Sequence, residues 1–459
     1  MVTIMSETGN SGPRHVVAVV GAATAGSEIA QILAQRGALV VVIEQNPRPY
    51  GKIEDGLPRW HVKQRKDEYE EINRRLDHPG IEYVPNTRMG HDIQFDELSS
   101  AWGLSAVVLT HGAWRDRPFP VEGADQFVNY GLLYQNPLIY WFNHYLEAGY
   151  NGPRYILTPG TTVIGGGLAS IDVVKVLQIE MALKALAQRD IHENMVKLER
   201  EGIDVVLKGY NLTWADLGIA PCRLFYRRRV LDMPLSDIAP DAPPRRAEAM
   251  RQARSKIVEK ARRKFLFDFE ELRVPTGLIV EGGRLAGLEI THTEIVDGKA
   301  RKLPNTQEPV HSELIVSSIG SIPEPIPGIP QRGEVYEYAD QKIGLLMDGR
   351  TAVYAAGNVL TGKGNIKDSL ESGTEIGTQV AERYLGIADD GSRTALAEGA
   401  RIEAHREGEA IAESIGARGG IAREARADVL KRVRERQRAV GFDGNYREWI
   451  ARVTPPDLH

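Results

Sequence analysis

The sequence predicts an α/β fold built on two Rossmann-like dinucleotide-binding domains, followed by a helical C-terminal extension. Three observations carry this. A β-branched apolar run ends in a glycine-spaced turn near residue 21, and the same grammar returns near residue 165. Each turn leads into helical apolar spacing and then another apolar run, the order of a βαβ unit with parallel strands. Beyond Gly386 the chain becomes charged, Ala-rich and partly helical in pattern.

"HVVAVV" (15–20) reads as a strand buried on both faces. Helical spacing runs from Ser27 to Arg36, and Gly37 stops it. "ALVVVIE" follows as a second buried strand. The turn between them, "VVGAATAGSEIA" (19–30), approaches the Gly-x-Gly-x-x-Gly pattern: Gly21 and Gly26 are in place, and Ala23 stands at the middle position. Glu44 ends the second strand, where a carboxylate can accept hydrogen bonds from both ribose hydroxyls of a nucleotide. The helix start after Gly26 offers free N–H groups to a pyrophosphate. The Ala23 methyl occupies space that the phosphates would approach. On the motif alone, a turn that needs glycine only for backbone freedom competes with this reading.

The second turn lies in "TTVIGGGLASIDVVKVLQIEMALKAL": a strand to Ile164, a turn at Gly165–Gly167, and a helix from about Leu168. Gly165 and Gly167 fill the first two glycine positions and Ser170 the third. A helical insertion, 181–220, delays the next strand, "CRLFYRRRV", which ends in Arg227, Arg228 and Arg229. A guanidinium fork matches a phosphate, whereas a carboxylate would repel the 2′-phosphate of NADP. The first turn therefore suits FAD and the second NADPH; a solvated basic surface run is the plainer reading of the arginines. "GLIVEGGRLAGLEITHTEIV", from Gly277, reads as a β-hairpin. "ELIVSSIG" (313–320) and "TAVYAAGN" (351–358) read as strands, and Val429, Val433 and Val440 mark a basic C-terminal helix.

Composition narrows the function. The chain has 459 residues, 42% hydrophobic and 26% charged, with a net charge of −5, which disfavours nucleic acid as a partner. The one cysteine, Cys222, excludes an intrachain disulfide, a dithiol redox pair and an iron–sulfur cluster held by this chain alone. No apolar run reaches the roughly 18 residues of a membrane helix. The first residues lack the apolar core of a signal peptide, so no membrane association and a cytoplasmic location are expected.

These motifs resemble those of the adrenodoxin-reductase and glutamate-synthase small-subunit group of flavoenzymes, which includes bacterial ferredoxin–NADP reductases. The resemblance runs from about residue 15 to 385. It implies that Gly21, Ala23, Ala25 and Gly26 meet the FAD pyrophosphate, with Glu44 and Gln45 beside the adenosine. "RPYGKIEDGLP" (48–58), containing Gly51, resembles the segment that runs along the flavin. "VVLTHGAWRDRPFPVEG" (107–123), containing Gly112 and Ala113, resembles the crossover near the FAD adenylate. "VIGGGLASIDVV" is similar to the NADP turn and implies Gly165, Gly167, Leu168, Ala169 and Asp172 as its contacts. "YRRRVLDMP" (226–234) implies Arg227 and Arg228. "SSIGSIPEPIPG" (317–328) and "VYAAGNVLTGKGNIKDSLESG" (353–373) resemble the closing FAD segment, with Gly357, Gly364, Asn365 and Ile366 at matching positions. Asn358 stands where the group carries aspartate. His61 lies near a histidine kept by the nicotinamide, at a spacing that differs by about one residue; an ordinary core or surface histidine is an equal reading. Its acid partner is open between Asp237 and Glu248.

The resemblance implies an FAD-binding domain made of 14–152 and 310–386, an inserted NADP-binding domain at 153–309, and an extension at 387–459. It implies an FAD-dependent oxidoreductase in which a hydride passes from NADPH to the flavin and electrons leave to a ferredoxin- or flavodoxin-like acceptor. The basic stretch from Arg245 to Lys264 would steer such an acidic carrier; a solvated helix is its plainer reading. Two alternatives stand beside it: the NADPH-oxidising flavin subunit of a larger complex, and a non-catalytic nucleotide-binding scaffold with Ala23 and Asn358 as signs of decay. The N-terminal cluster domain of the glutamate-synthase type is missing from the pattern, and the insertion and extension depart from it. Assembly into a homo-oligomer is left open.

Overall fold

The structure is a computed structural model that describes residues 13–239, 241–387 and 420–455. The chain forms two compact units. The first is built from residues up to Ile53, Lys63–Trp114 and the chain from Ile322 onward; the second from Glu54–Val62 and Arg115–Ser321.

The first unit is centred on a six-stranded sheet. Its order is Leu345–Met347, Ala352–Ala355, Ala106–Leu109, Val16–Val20, Leu39–Ile43 and Ile81–Val84. All neighbours are parallel except the first pair. Val16–Val20 and Leu39–Ile43 are buried along their whole length, as unbroken β-branched runs should be when helices cover both faces. The first helix spans Thr24–Gln35, three residues earlier than the apolar spacing places it, because the small residues Thr24, Ala25 and Gly26 already wind into its first turn. It packs against helix Ile366–Gln379 at short range. A Cβ on Gly373 would lie 3.0 Å from the Ala25 backbone, and one on Gly377 would lie 3.3 Å from Ile29. Glycines four apart share one helix face, so the two backbones can approach closely there.

The C-terminal helices are part of this unit rather than an appended segment. Arg423–Ala439 buries Val429 and Val433 in one face of the sheet's core, while Phe442, Tyr446 and Trp449 join the other. Val440 is only partly buried against that second cluster. Residues 388–419 and 456–459 of the expected extension lie outside the described residues.

The second unit holds a five-stranded parallel sheet in the order Leu132–Tyr134, Ile315–Ser318, Thr162–Gly165, Arg223–Tyr226 and Asp268–Glu271. An antiparallel sheet accompanies it, built on the hairpin Arg273–Glu281 and Arg284–Val296. The compact units therefore divide elsewhere than at 152 and 310. Residues 115–152 and 310–321 fall in the second unit, because Leu132–Tyr134 and Ile315–Ser318 hydrogen-bond into the sheet of Thr162–Gly165. Residues 181–220 are not separate from the unit's core either. Helix Leu168–Ala187 runs unbroken through 181, and Leu198, Ile203, Val206 and Leu207 fill the same cluster as Val174 and Leu177. No helix among the described residues is long and apolar enough to cross a membrane.

Candidate functional site

Both glycine turns lie where strand order reverses. Val16–Val20 has Leu39–Ile43 on one side and Ala106–Leu109 on the other; Thr162–Gly165 lies likewise between Arg223–Tyr226 and Ile315–Ser318. Open α/β sheets bind ligands outside the carboxyl ends of strands at such points.

In the first turn Gly21 has φ +99°, and a Cβ there would lie 2.8 Å from the Thr110 and His111 backbone. A Cβ on Gly26 would run into the Gly21 carbonyl. Both glycines are fixed by close approach, independently of any ligand. Ala23 is the extended N-cap of the first helix. Its methyl faces Gly51, whose own Cβ would come within 2.9 Å of it. Gly357 stands in the same relation to Ala25, at 2.9 Å, and its N–H donates to Ser372 Oγ at 2.9 Å. Turn, 48–51 loop and 357 loop thus form one small-residue cradle. The buried Glu44 carboxylate accepts the Ala22 N–H on Oε2 and the Asn46 N–H on Oε1, each at 2.9 Å. An ionised carboxylate offers several acceptor sites on its two oxygens.

The other predicted residues of this unit are arranged more loosely. Ala113 is buried; a Cβ on Gly112 would meet only Trp114 Nε1, at 3.9 Å. Gln45 is partly exposed beside Glu44. Asn358 Oδ1 is enclosed without a hydrogen-bond partner, and Gly364 lies beside Nδ2 of the same side chain. An unpaired carboxylate would be costlier in that position than an amide. Asn365 is the N-cap of helix Ile366–Gln379, accepting the Asp368 N–H at 2.7 Å, so its side chain is committed to the helix.

In the second turn the Ser170 hydroxyl takes the place of the third glycine and ties the turn down. It accepts the Gly167 N–H at 3.3 Å and donates to the Ser318 carbonyl at 3.0 Å. It also makes Gly165 obligatory, since a Cβ there would lie 2.2 Å from Ser170 Oγ. Around Gly167 there is open space, and Leu168 and Ala169 are exposed at the helix start. This is the room a phosphate needs beside free helix N–H groups. Asp172 is engaged with Lys175 at 3.1 Å.

The three arginines follow strand Arg223–Tyr226 and divide the work. Arg229 pairs with Asp232 at 2.9 Å and holds that carboxyl below its ordinary value. Arg227 is exposed and its guanidinium makes no ion pair among the described residues. Arg228 reaches Asp232 only at 3.8 Å, and its Nε is enclosed without a partner. Two cations therefore remain for an anion. Of the candidate acids, Glu248 is exposed and hydrogen-bonded to Gln252 and Arg251.

His61 is set by its own segment. Its N–H donates to the Pro58 carbonyl at 3.0 Å, and its ring lies 6.0 Å from that of Trp60. Asn143 grips this segment, donating to the Glu54 and Leu57 carbonyls at 2.7 and 3.0 Å and accepting the Arg59 N–H at 2.9 Å.

Sequence reasoning missed several of these partners. Gly166 touches the Tyr226 ring, which leaves no room for a Cβ. Thr110 donates to the Gly21 and Val20 carbonyls, at 2.7 and 3.0 Å. His111 Nε2 lies 3.2 Å from the Tyr336 hydroxyl, which itself donates to the Glu324 carbonyl. Tyr336 has a single proton to give, so His111 Nε2 carries the proton of that pair. Burial pushes His111 down to about 4, which keeps the ring neutral at ordinary pH. Burial pushes the Cys222 thiol up, so it is not available as a thiolate.

The solved structure of Mycobacterium tuberculosis FprA in complex with NADPH superposes with a TM-score of 0.66, over 93% of this chain and 91% of that one, at 17% identity. The chain has the fold of FprA. No protein-family model matches it. In sequence it is 35% identical over 161 residues to the glutamate synthase [NADPH] small chain of Bacillus subtilis, covering 34% of this chain and 31% of that one. It is 31% identical over 170 residues to the NADPH-Fe(3+) oxidoreductase subunit beta of Geobacter sulfurreducens, covering 35% of this chain and 22% of that one. The match thus spans less than a third of either relative's length. The FprA fold and these relatives are the group that the quoted motifs resemble.

Proposed function

We propose that the chain is an FAD-containing, NADP-dependent oxidoreductase, with FAD on the first turn and NADPH on the second. The observation that carries this is the pairing of two switch-point turns with opposite charges at the ends of their second strands. Glu44 follows the first; Arg227 and Arg228 follow the second. Names of the relatives, an NADPH-dependent synthase chain and an NADPH-Fe(3+) oxidoreductase subunit, support the same reading.

Bound FAD supplies a two-electron acceptor that can release electrons singly. The residues of the chain bind and orient. Glu44 would hold the adenosine ribose, and the helix starts at Thr24 and Leu168 would face pyrophosphates. Arg227 and Arg228 would select the 2′-phosphate, and His61 would stand by the nicotinamide. With no accessible thiol, electrons leave to an external acceptor.

We infer an acidic protein carrier of ferredoxin or flavodoxin type as that acceptor. Helix Pro244–Phe265 carries nine Lys and Arg side chains against two Glu in a chain of net charge −5. Arg245, Lys256, Lys260 and Arg263 fall on the side opposite the buried Ala247, Val258, Ala261 and Phe265, which suits electrostatic steering. A second reading, the flavin subunit of a larger complex, is favoured by the relatives' names, since both are subunits. A cytoplasmic location accords with either.

Anaerobic absorption spectra test the reading. The expected result is a yellow protein, or one that reconstitutes with FAD, whose flavin band bleaches on adding NADPH. A protein that takes up no FAD overturns it. Assays of NADPH oxidation against ferredoxin, flavodoxin and ferricyanide then separate the acceptors; copurification of a cluster-containing partner would favour the second reading.

A further inference from the structure

The C-terminal helices hold the loop that carries Glu44. Helix Arg423–Ala439 is registered on the edge strand Ile81–Val84, where Gln437 Nε2 donates to the Tyr83 carbonyl at 2.9 Å and Arg434 pairs with Glu82 at 2.7 Å. That register delivers Arg436 to the next turn of chain. Its Nε donates to Thr87 Oγ1 at 2.8 Å and its Nη2 to the Asn86 carbonyl at 3.1 Å, with Asp92 pairing at 2.9 Å. The same two residues bind the Glu44 segment. Thr87 N–H donates to the Glu44 carbonyl at 2.8 Å and Asn86 N–H to the Asn46 carbonyl at 3.3 Å. From the other side the buried Trp449 donates its Nε1–H to the Pro47 carbonyl at 2.7 Å. Residues 44–47 are therefore gripped at both ends by chain beyond residue 420. Within the grip, Asn46 N–H fixes one carboxylate oxygen of Glu44 and Ala22 N–H the other.

We propose that Trp449 and Arg436 are positioning residues that aim the Glu44 carboxylate at the adenosine ribose of the dinucleotide bound on the first turn. The inference rests on reading that turn as the FAD site. A carboxylate that serves two neighbouring hydroxyls tolerates little displacement, and Glu44 sits on a loop that has already left the sheet. Part of its aim is supplied from outside the βαβ unit.

The test compares FAD with flavin 2′-deoxyadenine dinucleotide, which lacks one ribose hydroxyl, by flavin fluorescence titration of the apo chain. Wild type should prefer FAD by roughly tenfold, the worth of a hydrogen bond to a charged group. Trp449→Phe keeps an aromatic ring in the core and removes the donor together with part of the buried indole; Arg436→Lys keeps the charge and removes the fork. Each should bring the preference below about threefold; a fall in the melting temperature of the apo chain from the lost hydrogen bond bears on both ligands alike and does not move their ratio. Equal weakening of both ligands, or no change in either, overturns the proposal and leaves the FAD reading standing. Failure of the wild-type chain to take up FAD overturns both. Should Trp449→Phe not fold, Arg436→Lys decides alone.

Discussion

Ala23 and Gly51 are matched to each other: the alanine methyl of the first turn fills the place where a side chain on residue 51 would begin, 2.9 Å away. The methyl that departs from the glycine pattern is thus received by a glycine on the facing loop, at φ +50°. Gly51→Ala should destabilise the apo chain by roughly 1–3 kcal/mol through overpacking and backbone strain. Adding Ala23→Gly should recover the packing share and leave the strain. Urea unfolding of the two single variants and the double variant checks this; additive effects would show that the two sites do not touch.

Gly167 separates binding from stability. Its backbone is extended at φ −93°, and among the described residues no atom would lie within 4 Å of a Cβ there. Gly167→Ala should leave the unfolding midpoint nearly unchanged. It should weaken NADPH binding about tenfold or more, because the methyl enters the space beside the free helix N–H groups. Calorimetric titration with NADPH reads the effect, and unchanged affinity would remove this turn from the site.

The arginines predict coenzyme choice. Arg227→Ala with Arg228→Ala should raise KM for NADPH by about 10- to 100-fold, with little change for NADH, since only the 2′-phosphate is lost to them. Arg229→Ala should have a smaller effect, because Arg229 is committed to Asp232. Equal losses for the two coenzymes would refute the assignment.

His144 makes the second unit sensitive to alkali. Burial alone would lower its pKa, but hydrogen bonds to Asp55 and Glu147, at 2.9 and 2.7 Å, and their charges outweigh it. The result is a histidine raised from 6.5 to about 9. A raised folded pKa stabilises fully below the unfolded value and loses that contribution as pH climbs through the folded one. Between pH 6.5 and about 9 the wild type should lose up to about 3 kcal/mol from this clasp. His144→Gln should start lower and lack the slope. Parallel stability curves for the two proteins would show that the clasp contributes nothing.

The two βαβ units were legible in the sequence because unbroken apolar strands and glycine turns are local signals. Glu44 was read from its place at the end of the strand that follows its turn, and the arginines from the basic run that ends "CRLFYRRRV" despite the insertion before it. Boundaries between the units were not legible. Leu132–Tyr134 and Ile315–Ser318 join a sheet whose other strands are remote in sequence, and short apolar segments do not state their partners. Ser170 was read only as filling the third glycine position, whereas its hydroxyl bonds Gly167 and Ser318. The role of residues 420–455 was hidden for the same reason. Their buried positions are few and widely spaced along basic helices, and the groups they bind lie 349 to 402 positions earlier.

That last separation has a consequence for biosynthesis. Translation at 5–20 residues per second places on the order of half a minute between the emergence of Glu44 and that of Arg436 and Trp449. During that interval the strand Ile81–Val84 stands as an uncovered sheet edge, the kind of surface that recruits wrong partners. The second unit, whose pieces all lie between 54 and 321, is complete well before. The order of manufacture therefore leaves the nascent chain able to assemble its second unit first, with the first unit waiting for helices that emerge after residue 420.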